Sequence, residues 1–575
     1  MGTKMKPKTR QAFDFRTIIA ESASRYFDKD YLVYKCGGGL ESVTFGGFEE
    51  RVRAFSEALF ELDLAGKAIA VVGETAPEWI ITYLATIISG GVIVPLDKEL
   101  SREAICGFTN KTDCRAVVFS HKCRHFFEKG REDYKTVEYF VEFSRDTQHG
   151  ICEEEPQKGF SEFTDFLNFG RRLVREGSDR YESATVDMEK VCAILFTSGT
   201  TGSSKGVMLS QKNIIHAVNG SYHRTSFDES DVVVSVLPIH HTYEMTCGIL
   251  TPLILGATVC INDSLKYIVR NFQLFRPTGL VLVPLFVSTV YKKIWETARK
   301  GGKEKLLRGS MTVSNVLRKV KIDPRSLLFK SVQNVFGGRL KRIICGGAPM
   351  PPDLVAEFEA FGIKLCQGYG ITECAPLISV CTEEDNRVGS VGQAIPGVTA
   401  KIDVEEEENG KLIGEIMVKG PNVMKGYFMD QAATDEVMHG AWFRTGDYGY
   451  MDEDGFIYIT GRKKNVIVLN NGKNVFPEEI EEYLYKIDLI RECVVVGRED
   501  EEKNVVVTAL IYPDFDRAEE NGIGRDLNDV ASAIKEKIAD LNRSLPSFKQ
   551  IRGVEMRRTE FEKNTSKKII RYTIK

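Results

Sequence analysis

The stretch Leu195–Gly206, LFTSGTTGSSKG, follows an apolar run with a turn rich in serine, threonine and glycine and with one lysine, Lys205, near its end. A strand followed by such a turn exposes backbone N–H groups that cannot all pair within the chain, and these groups can cradle anionic oxygens. The hydroxyl groups add further donors, and Lys205 adds a full positive charge. The stretch therefore predicts a loop that binds a polyphosphate.

Two common phosphate loops do not account for this stretch. The P-loop of nucleoside triphosphatases carries GxxxxGK followed by Ser or Thr, whereas Gly206 follows Lys205 here, and the dinucleotide pattern GxGxxG does not match either. A stretch rich in serine, threonine and glycine is, taken alone, more often an ordinary flexible loop. The polyphosphate interpretation therefore depends on motifs elsewhere in the chain.

Short apolar runs rich in β-branched residues recur on both sides of this loop, from about Lys67 to Gly370. Amphipathic segments of helical length separate them, such as FEERVRAFSEALFEL, which has apolar residues three and four apart. This alternation predicts βαβ units and parallel sheets. The runs are AIAVVG, AVVFS, AILFTSG, VVVSVLP, ATVCI, GLVLVP, RIICGG and IKLCQGYG.

The carboxy-terminal part of the chain has a different pattern. After about Gly397 the runs TAKIDV, EIMVKG and MDEDGFIYIT alternate with turn signals, which suits an antiparallel or barrel-like sheet. Beyond Arg462 two helix candidates, PEEIEEYLYKI and DVASAIKEKIADLNRSL, flank two strand candidates, which predicts a small α+β domain. A chain of 575 residues is too long for one ordinary core, so two or more domains are expected.

Composition limits the class of protein. The 43% apolar and 27% charged residues are typical of globular proteins, and a net charge of −4 gives no general reason to expect nucleic acid as a partner. The 13 cysteines form no CxxC pair and have no histidine at metal-ligand spacing, so we expect buried thiols in a reducing compartment. His240 and His241 are neighbours without a third ligand nearby in the sequence, which argues against zinc.

The sequence predicts a cytoplasmic protein. The basic start, MGTKMKPKTR, is followed by no sustained apolar segment, and the longest apolar stretches are shorter than the roughly 20 residues that span a bilayer. The segment Lys292–Arg342, however, carries fifteen Lys or Arg residues against three acids. Such a charge run fits a solvated helical face, and it also fits peripheral contact with the inner membrane surface or with the phosphates of a ligand.

The string TSGTTGSSKGVMLS resembles the phosphate-binding signature of the adenylate-forming superfamily, which contains acyl-CoA synthetases, the adenylation domains of peptide synthetases and firefly luciferase. Other segments resemble the remaining signatures of that superfamily and follow in its order along nearly the whole chain. They are LPIHHTYE from Leu237, GGAPM from Gly346, GYGITE from Gly368, WFRTGD from Trp442, GRKKNVIV from Gly461 and NTSKKIIRYTIK near the end.

The resemblance implies an α/β fold in two domains. Residues 1–462 would form a large amino-terminal domain with two parallel-rich αβ sheets and a distorted β-barrel, and residues 463–575 would form a small, mobile α+β domain. The hinge between the domains is expected near Lys464, and Gly472 is expected near the path of a thiol. Rotation about this hinge would let one cavity serve two reactions.

By the same resemblance the chain is expected to bind the phosphates of ATP together with Mg²⁺. Glu373 and Thr197 would hold the metal ion, which prefers hard oxygen ligands. Thr372 would donate a hydrogen bond to the α-phosphate. The β- and γ-phosphates would contact Thr197, Ser198, Gly199, Thr200, Thr201, Gly202 and Lys205.

The resemblance also assigns residues to the nucleoside. Tyr369 stands between two glycines, which would let its ring lie flat against adenine. Asp447 follows a glycine in a predicted turn and would accept hydrogen bonds from both ribose hydroxyls, with Arg462 assisting. The remaining adenine contacts would come from Gly346, Gly347 and Ala348 on the other side of the base and from Gln367, Gly368 and Gly370 beside Tyr369.

Two further residues are expected to act on a carboxylate substrate. Members of the superfamily carry a histidine near that carboxylate, and His241 matches its position. Their closing motif, Pro-x-Thr-x-x-Gly-Lys-Ile-x-Arg, aligns its lysine with Lys568, which would bridge the carboxylate and the α-phosphate by position and charge. The Gly of that motif is replaced by Lys567 and its Pro is absent, so Lys567, one position away, is the alternative.

The resemblance implies a ligase that activates a carboxylic acid as an acyl-adenylate, releases pyrophosphate and transfers the acyl group to coenzyme A. ECAPL from Glu373 and GKNV from Gly472 are most similar to the long-chain fatty acyl-CoA synthetases. Three alternatives remain: a fatty acyl-AMP or acyl carrier protein ligase, a CoA ligase for a shorter or aryl acid, and a nucleotide-binding regulatory protein without turnover. The joint presence of Glu373, Asp447 and Lys568 argues against the last.

Overall fold

The computed structural model describes residues 11–144, 154–197, 204–348, 350–408, 410–470, 473–563 and 569–574. By their contacts the described residues form two compact units. The first comprises the chain up to Thr399 together with Lys419–Met438, and the second comprises Ala400–Val418 together with the chain from His439 onward. The predicted domain boundary at residue 462 stays a prediction.

Each of the eight β-branched runs forms a strand, because Val and Ile side chains are stiff at Cβ and pack well on a pleated surface. The strands are β1 Asp30–Cys36, β2 Gly39–Thr44, β3 Ala68–Val72, β4 Val92–Leu96, β5 Cys114–Ser120, β6 Tyr139–Phe143, β7 Gly159–Glu162, β8 Val191–Thr197, β9 Lys205–Ser210, β10 Val232–Ser235, β11 Thr258–Ile261, β12 Gly279–Leu282, β13 Arg342–Cys345, β14 Lys364–Gly370, β15 Leu377–Val380, β16 Gln393–Ala394, β17 Thr399–Glu408, β18 Lys411–Lys419, β19 Gly426–Tyr427, β20 Met438–His439, β21 Trp442–Met451, β22 Ile457–Arg462, β23 Ile467–Val468, β24 Asn474–Val475, β25 Ile490–Glu499, β26 Val505–Pro513 and β27 Gly553–Met556.

The helices begin in different ways, and some begin at recognisable caps, as where the Asp14 and Ser101 side chains accept hydrogen bonds from backbone N–H groups of the first turn. They are α1 Phe15–Tyr26, α2 Phe45–Glu61, α3 Pro77–Ile88, α4 Arg102–Lys111, α5 Phe163–Arg175, α6 Arg180–Ser183, α7 Gln211–Arg224, α8 Thr251–Leu255, α9 Ile268–Phe275, α10 Pro284–Lys300, α11 Glu304–Lys319, α12 Arg325–Leu328, α13 Lys330–Val335, α14 Pro352–Ala360, α15 Gln431–Val437, α16 Pro477–Leu484, α17 Phe515–Glu520 and α18 Leu527–Asn542.

The first unit contains an eight-stranded sheet in the order β19-β9-β8-β4-β3-β5-β6-β7. Strands β3 to β8 pair in parallel, whereas β9 pairs antiparallel with β8 and with β19. Helix α3 packs on strands β3, β4 and β5, and all its residues except Glu78 are buried. Its apolar sequence therefore reflects burial on all sides.

A nine-stranded sheet of the same unit has the order β16-β15-β14-β13-β12-β10-β11-β1-β2. Its six central strands, from β14 to β1, pair in parallel, and the two ends are antiparallel. A core that includes Leu280, Ile343, Phe272 and Phe358 packs on this sheet. The predicted α/β architecture with two parallel-rich sheets is confirmed.

The second unit begins with the strands for which the sequence suggests a distorted β-barrel. They form a five-stranded sheet, β17-β18-β21-β20, in which β22 also pairs with β21. A three-stranded sheet, β25-β26-β27, follows, and its core includes Val495 and Ile511 with Ile480 of α16 and Ile534 of α18. The small α+β region predicted beyond Arg462 is therefore present.

In the part of the chain that the structure describes, every helix is too short or too polar to cross a bilayer. The twelve cysteines within that part are not joined to one another by disulfide bonds, and all except Cys36 are buried. Among the same residues, no group of three or more His, Cys, Asp or Glu side chains is close enough together to hold a metal ion.

Candidate active site

Several predicted site residues follow the carboxyl ends of parallel strands. In the nine-stranded sheet His241 follows β10, Gly346 follows β13 and Thr372 follows β14, and these strands run in the same direction. The carboxyl ends of parallel strands meet at one edge of a sheet, where open α/β proteins bind ligands. The parallel topology thus brings residues that are far apart in the sequence to one edge.

The phosphate loop joins two antiparallel strands. Thr197 ends β8 and pairs with Lys205, the first residue of β9, and the Thr197 hydroxyl donates to the Lys205 carbonyl oxygen at 3.4 Å. The strands that flank the loop are therefore paired with each other, whereas the P-loop leads from a strand into a helix. The predicted contacts Ser198, Gly199, Thr200, Thr201 and Gly202 lie outside the described residues.

Lys205 and the predicted metal ligand Glu373 both contact the side chain of Tyr427. The Lys205 Nζ lies 4.6 Å from the centroid of the Tyr427 ring, within the range of a cation–π interaction. The Tyr427 hydroxyl donates a 2.9 Å hydrogen bond to Glu373 Oε1. Tyr427 thus connects the cation of the phosphate loop to the carboxylate expected at the metal ion.

A short backbone segment fixes this connection. The N–H of Met424 donates to the Glu373 carbonyl oxygen at 2.8 Å, and the N–H of Phe428 donates to the Gly206 carbonyl oxygen at 2.7 Å. Between them, Tyr427 pairs with Val207 across β19 and β9. The segment is therefore bonded to the phosphate-loop strand at one end and to the Glu373 turn at the other.

The donor set at this place suits Mg²⁺. Glu373 lies in a single 3-10 turn, Thr372–Cys374, that packs against β9, and both Glu373 and Thr197 are half-buried. A carboxylate and a hydroxyl are hard oxygen donors of the kind that Mg²⁺ prefers. Glu373 uses Oε1 for the bond from Tyr427 and accordingly holds its carboxylate in a defined orientation.

An apolar cavity of about 60 Å³ adjoins the predicted adenine contacts. Tyr369, which is buried, lines it together with Gly346, Gly347, Gly368 and Gly370. The rest of the lining is mostly apolar and comprises Ser221, Thr225, Phe227, Tyr243, Cys247, Val281, Ile344, Pro376, Leu377 and Val380. Gln367 is buried next to Gly368 in β14, and Ala348 is exposed.

Two glycines of this wall lie close to the backbone of neighbouring residues. A Cβ at Gly370 would lie 2.1 Å from the Pro376 carbonyl oxygen, and a Cβ at Gly346 would lie 3.1 Å from the Gly368 carbonyl oxygen. Tyr243 crosses the same wall, where its hydroxyl lies 3.2 Å from the Ile344 carbonyl oxygen and 3.3 Å from that of Leu282. Larger residues at these glycines would therefore displace the backbone beside Tyr369.

The two histidines after β10 differ in their surroundings. The His240 Nε2 lies 3.4 Å from Asp97 Oδ2, and burial lowers the pKa of His240, against the opposing effect of Asp97. The His241 ring is half-buried and lies 4.1 Å from that of His240, centroid to centroid. Asp97 thus interacts with His240, and the role predicted for His241 stays a prediction.

Glu244 is a buried acid that the sequence analysis did not single out. It begins a π-helix, Glu244–Leu250, in which every residue is buried. The Ser235 hydroxyl donates to Glu244 Oε1. Burial raises the pKa of Glu244 to about 8, so the side chain is largely protonated at neutral pH.

We expect Glu244→Gln to reduce the dependence of stability on pH. The unfolded side chain loses its proton near pH 4.5 and the folded one near pH 8, so stability is full below the lower value and falls as pH rises between them. Gln cannot ionise and avoids a loss on the order of 1 kcal/mol of unfolding free energy per pH unit. Thermal midpoints measured across this range should fall less in the variant, and parallel slopes would contradict the assignment.

The predicted ribose contacts form a pair in the second unit. Asp447 and Arg462 face each other across β21 and β22, and the Arg462 Nε lies 2.7 Å from Asp447 Oδ1. The sequence places Asp447 in a turn, which is wrong: it lies within β21. Gly446, the glycine that precedes Asp447, has a φ of +70°, as in a turn, but β21 continues through it.

The predicted hinge and catalytic lysine also belong to the second unit. Lys464 is exposed in a short 3-10 turn, Lys463–Asn465, and Gly472 and Lys568 lie outside the described residues. The described neighbours of Lys568 are fixed: Lys563 and Ile569 form an antiparallel bridge. Arg571 donates to Val495 O at 3.3 Å and to the buried Glu481 carboxylate, which anchors the chain just after Lys568.

Residues 19–428 match the sequence model of a family described as AMP-binding enzyme. The chain belongs to the AMP-binding enzyme family. Residues 464–574 match the model described as the AMP-binding enzyme C-terminal domain. The adenylate-forming membership predicted from the ordered motifs is therefore confirmed.

AMP-binding enzymes similar to this chain include ligases for several acids. A long-chain-fatty-acid–CoA ligase of Mycobacterium bovis is 28% identical over 490 residues, which cover 82% of this chain and 78% of the relative. A chloroplastic long-chain-fatty-acid–acyl-carrier-protein ligase of Arabidopsis thaliana is 26% identical over 572 residues, covering 87% and 76%. The fold is shared with an O-succinylbenzoate coenzyme A synthetase of Bacillus subtilis, solved with ATP and magnesium ion, at a TM-score of 0.69 and 20% identity over 97% and 98% of the two chains.

Sequence reasoning about this AMP-binding enzyme overlooked three residues with defined contacts: Tyr427, Glu244 and Arg571. Tyr427 stands in the plain string KGYF, and nothing in that string signals its bond to Glu373, 54 positions earlier. Glu244 follows the histidine motif and Arg571 ends the closing motif, so both were quoted without a role of their own. A search for polar residues inside the quoted motifs would have found these two.

Proposed function

We propose that this chain is an acid–thiol ligase that activates a carboxylic acid, in particular a long-chain fatty acid, with ATP and transfers it to coenzyme A. The observation that supports the proposal best is the contact of Tyr427 with both Lys205 and Glu373 at the base of the phosphate loop. This arrangement places a cation and an oriented carboxylate at the loop, as binding of a magnesium-bound polyphosphate requires.

In the first reaction the substrate carboxylate attacks the α-phosphorus of ATP and pyrophosphate leaves. Negative charge increases on the phosphoryl oxygens, so cationic groups that face them lower the barrier. We assign Lys205 to the β- and γ-phosphates, Thr372 to the α-phosphate and Lys568 to the bridge between carboxylate and α-phosphate. Glu373 and Thr197 would hold Mg²⁺, which when bound neutralises phosphate charge.

In the second reaction the thiol of coenzyme A attacks the carbonyl carbon of the acyl-adenylate, a thioester forms and AMP leaves. We propose that residues 463–575 rotate about Lys464 between the two reactions, which removes Lys568 and brings Gly472 to the thiol path. Asp447 and Arg462 would bind the ribose hydroxyls, and Tyr369 would contact adenine. His241 would contact the substrate carboxylate.

The acyl group is proposed from the relatives and from the cavity lining. The Mycobacterium and Arabidopsis relatives are named for long-chain fatty acids, and the lining around Val281 and Leu377 is apolar. Ligand pockets usually have volumes of about 300–1,000 Å³, so a cavity of about 60 Å³ must open before a long chain can enter. An acyl carrier protein acceptor is the second candidate, because the Arabidopsis relative is named for that acceptor.

A substrate panel tests this proposal. Pyrophosphate release is measured with palmitate, benzoate and acetate, and the thiol acceptor is then varied between coenzyme A and an acyl carrier protein. We expect release with palmitate and formation of palmitoyl-CoA. Release with benzoate or acetate alone would contradict the long-chain assignment. Formation of an acylated carrier protein without acyl-CoA would show that the acceptor is the carrier protein and not coenzyme A.

Tyr427→Phe is expected to weaken the metal site while it keeps the ring under Lys205. Loss of a hydrogen bond to a charged group costs about 1.5–3 kcal/mol, so the Mg²⁺ concentration at half-maximal rate should rise by about tenfold or more. Tyr427→Leu also removes the ring and should raise the KM for ATP as well. If Tyr427→Phe matches the wild type in Mg²⁺ dependence, the bond to Glu373 has no role in the reaction.

We further propose a cytoplasmic location with peripheral contact to the inner membrane surface. The segment Lys292–Arg342, which runs from the middle of α10 to the first residue of β13, provides the positive charge for this contact. Nucleic acid is not proposed as a partner, because the chain as a whole carries a net charge of −4.

A further inference from the structure

Helix α11 carries an apolar stripe on a face that is open to solvent. Leu306, Val313 and Val316 of this helix, with Val320 directly after it, have 67, 51, 59 and 65% of their surface exposed. With 3.6 residues per turn, these four positions fall within an arc of about 80° around the helix axis. They therefore form one continuous edge along the helix.

The opposite face of α11 is anchored, so the stripe has a fixed orientation. Leu307 and Met311 pack against the core of the nine-stranded sheet, and Ser314 on the same face is fully buried. The Arg308 guanidinium lies 4.5 Å from the centroid of the Trp295 ring on the neighbouring helix α10. These contacts hold α11 in place through residues outside the stripe.

Exposed lysines stand at both ends of the stripe. The arginines of the region are already paired: Arg299 and Arg308 with Glu304, and Arg318 with Glu359. Five exposed lysines, in contrast, have no ion pair among the described residues. They are Lys300, Lys303 and Lys305 at the start of the stripe and Lys319 and Lys321 at its end.

The combination of apolar stripe and uncompensated lysines favours one kind of partner. A face that only contacts water would carry polar residues at the four stripe positions. A nucleic acid would use the lysines through its phosphates but would leave the apolar edge exposed. The surface of an anionic bilayer uses both, because the side chains of an interfacial helix enter the acyl boundary while its lysines meet the headgroups.

We propose that α11, through Leu306, Val313, Val316 and Val320, docks on an anionic lipid surface with Lys300, Lys303, Lys305, Lys319 and Lys321 at the headgroups. The consequence rests on the proposed function: a long-chain fatty acid partitions into the bilayer, and a docked enzyme takes its substrate from there. The docking itself needs neither ATP nor turnover and can be measured separately.

The full chain is sedimented with vesicles of phosphatidylcholine alone and of phosphatidylcholine and phosphatidylglycerol in equal parts, without ATP. The stripe variant replaces Leu306, Val313 and Val316 with Gln, which keeps helix propensity. The lysine variant replaces Lys300, Lys305 and Lys319 with Gln. A matched control replaces Val388, Val404 and Leu412, which are 51, 49 and 54% exposed elsewhere on the chain, with Gln. Thermal melts check that all variants are folded.

We expect the wild type and the control to bind the anionic vesicles, and both other variants to lose about tenfold or more in affinity. Pyrophosphate release from palmitate in detergent should stay within about twofold of wild type in all three variants, whereas release from palmitate in anionic vesicles should fall in the stripe and lysine variants alone. Equal vesicle binding by the wild type and the stripe variant would overturn the proposal. It would also be overturned if the wild type did not bind the vesicles but bound RNA when RNA was supplied in their place. Inactivity of the wild type on palmitate in detergent would refute the proposed function and leave the docking result unchanged.

Discussion

Lys568→Ala is expected to abolish formation of the acyl-adenylate while it leaves thioester formation from supplied acyl-AMP largely intact. In the proposed first reaction the positive charge of this lysine stabilises the negative charge that develops between the carboxylate and the α-phosphate. Removal of one such charge-stabilising group lowers the rate by a factor on the order of 10²–10³. The lysine in addition positions the two reactants. The two half-reactions are measured separately, as pyrophosphate release and as acyl-CoA formed from synthetic acyl-AMP.

The neighbouring Lys567→Ala is the matched control for this prediction. Both residues are lysines in the same closing motif, and they follow the bridged Lys563 and precede the bridged Ile569. Lys567→Ala should retain near wild-type rates in both half-reactions. Equal loss of both half-reactions in Lys568→Ala would contradict its role, and a selective loss in Lys567→Ala would move that role by one position.

Glu373→Gln is expected to raise the Mg²⁺ requirement of adenylation by about 10–100-fold. The amide keeps the shape of the side chain and can still accept the hydrogen bond from Tyr427, but it lacks the negative charge that attracts a divalent cation. The rate of pyrophosphate release is measured against Mg²⁺ concentration at saturating ATP. At saturating Mg²⁺ much of the rate should return, because the phosphates and Thr197 still provide oxygen ligands.

The control for Glu373 is Glu384→Gln, an equivalent change at an exposed position close by in the sequence. This variant should have the Mg²⁺ dependence of the wild type. If Glu373→Gln also shows unchanged Mg²⁺ dependence, Glu373 is not a metal ligand, and its bond to Tyr427 then serves the fold alone.

Much of the fold could be predicted because its signals are local. The buried parallel strands appear as β-branched runs such as Ala68–Val72 and Gly279–Leu282, since both faces of these strands are covered. The helix signal of Phe45–Glu61 comes from apolar residues three and four apart, which form its buried face. Such patterns depend only on neighbours within one element.

The site could be predicted residue by residue only where a motif marks it. Asp447 was placed in a turn because Gly446 is a turn signal, but pairing with β18 and β22 keeps both residues in β21. Tyr427 was overlooked because its role depends on two contacts, to Lys205 and to Glu373, that exist only when three separate elements assemble. The size of the cavity beside Tyr369 likewise depends on side chains from many elements.

The exposed edge of α11 shows a third kind of limit. The charge excess of Lys292–Arg342 is visible in the sequence, but the sequence does not separate arginines that form ion pairs, such as Arg318, from lysines that form none with the residues the structure describes. Nor does it tell which apolar side chains of Glu304–Lys319 pack inward, since Leu306 and Leu307 are neighbours with opposite surroundings. The packing of α11 against the nine-stranded sheet determines both which cations form ion pairs and which apolar side chains are buried.

Exchange of labelled pyrophosphate into ATP in the absence of coenzyme A is the most direct test of the central claim, that the chain forms an acyl-adenylate from a long-chain acid. The exchange requires that carboxylate attack on ATP be reversible on the enzyme, and it needs no thiol. We expect exchange with palmitate and Mg²⁺ and none without the acid. Absence of exchange with every carboxylic acid tested, although ATP binds, would contradict the central claim.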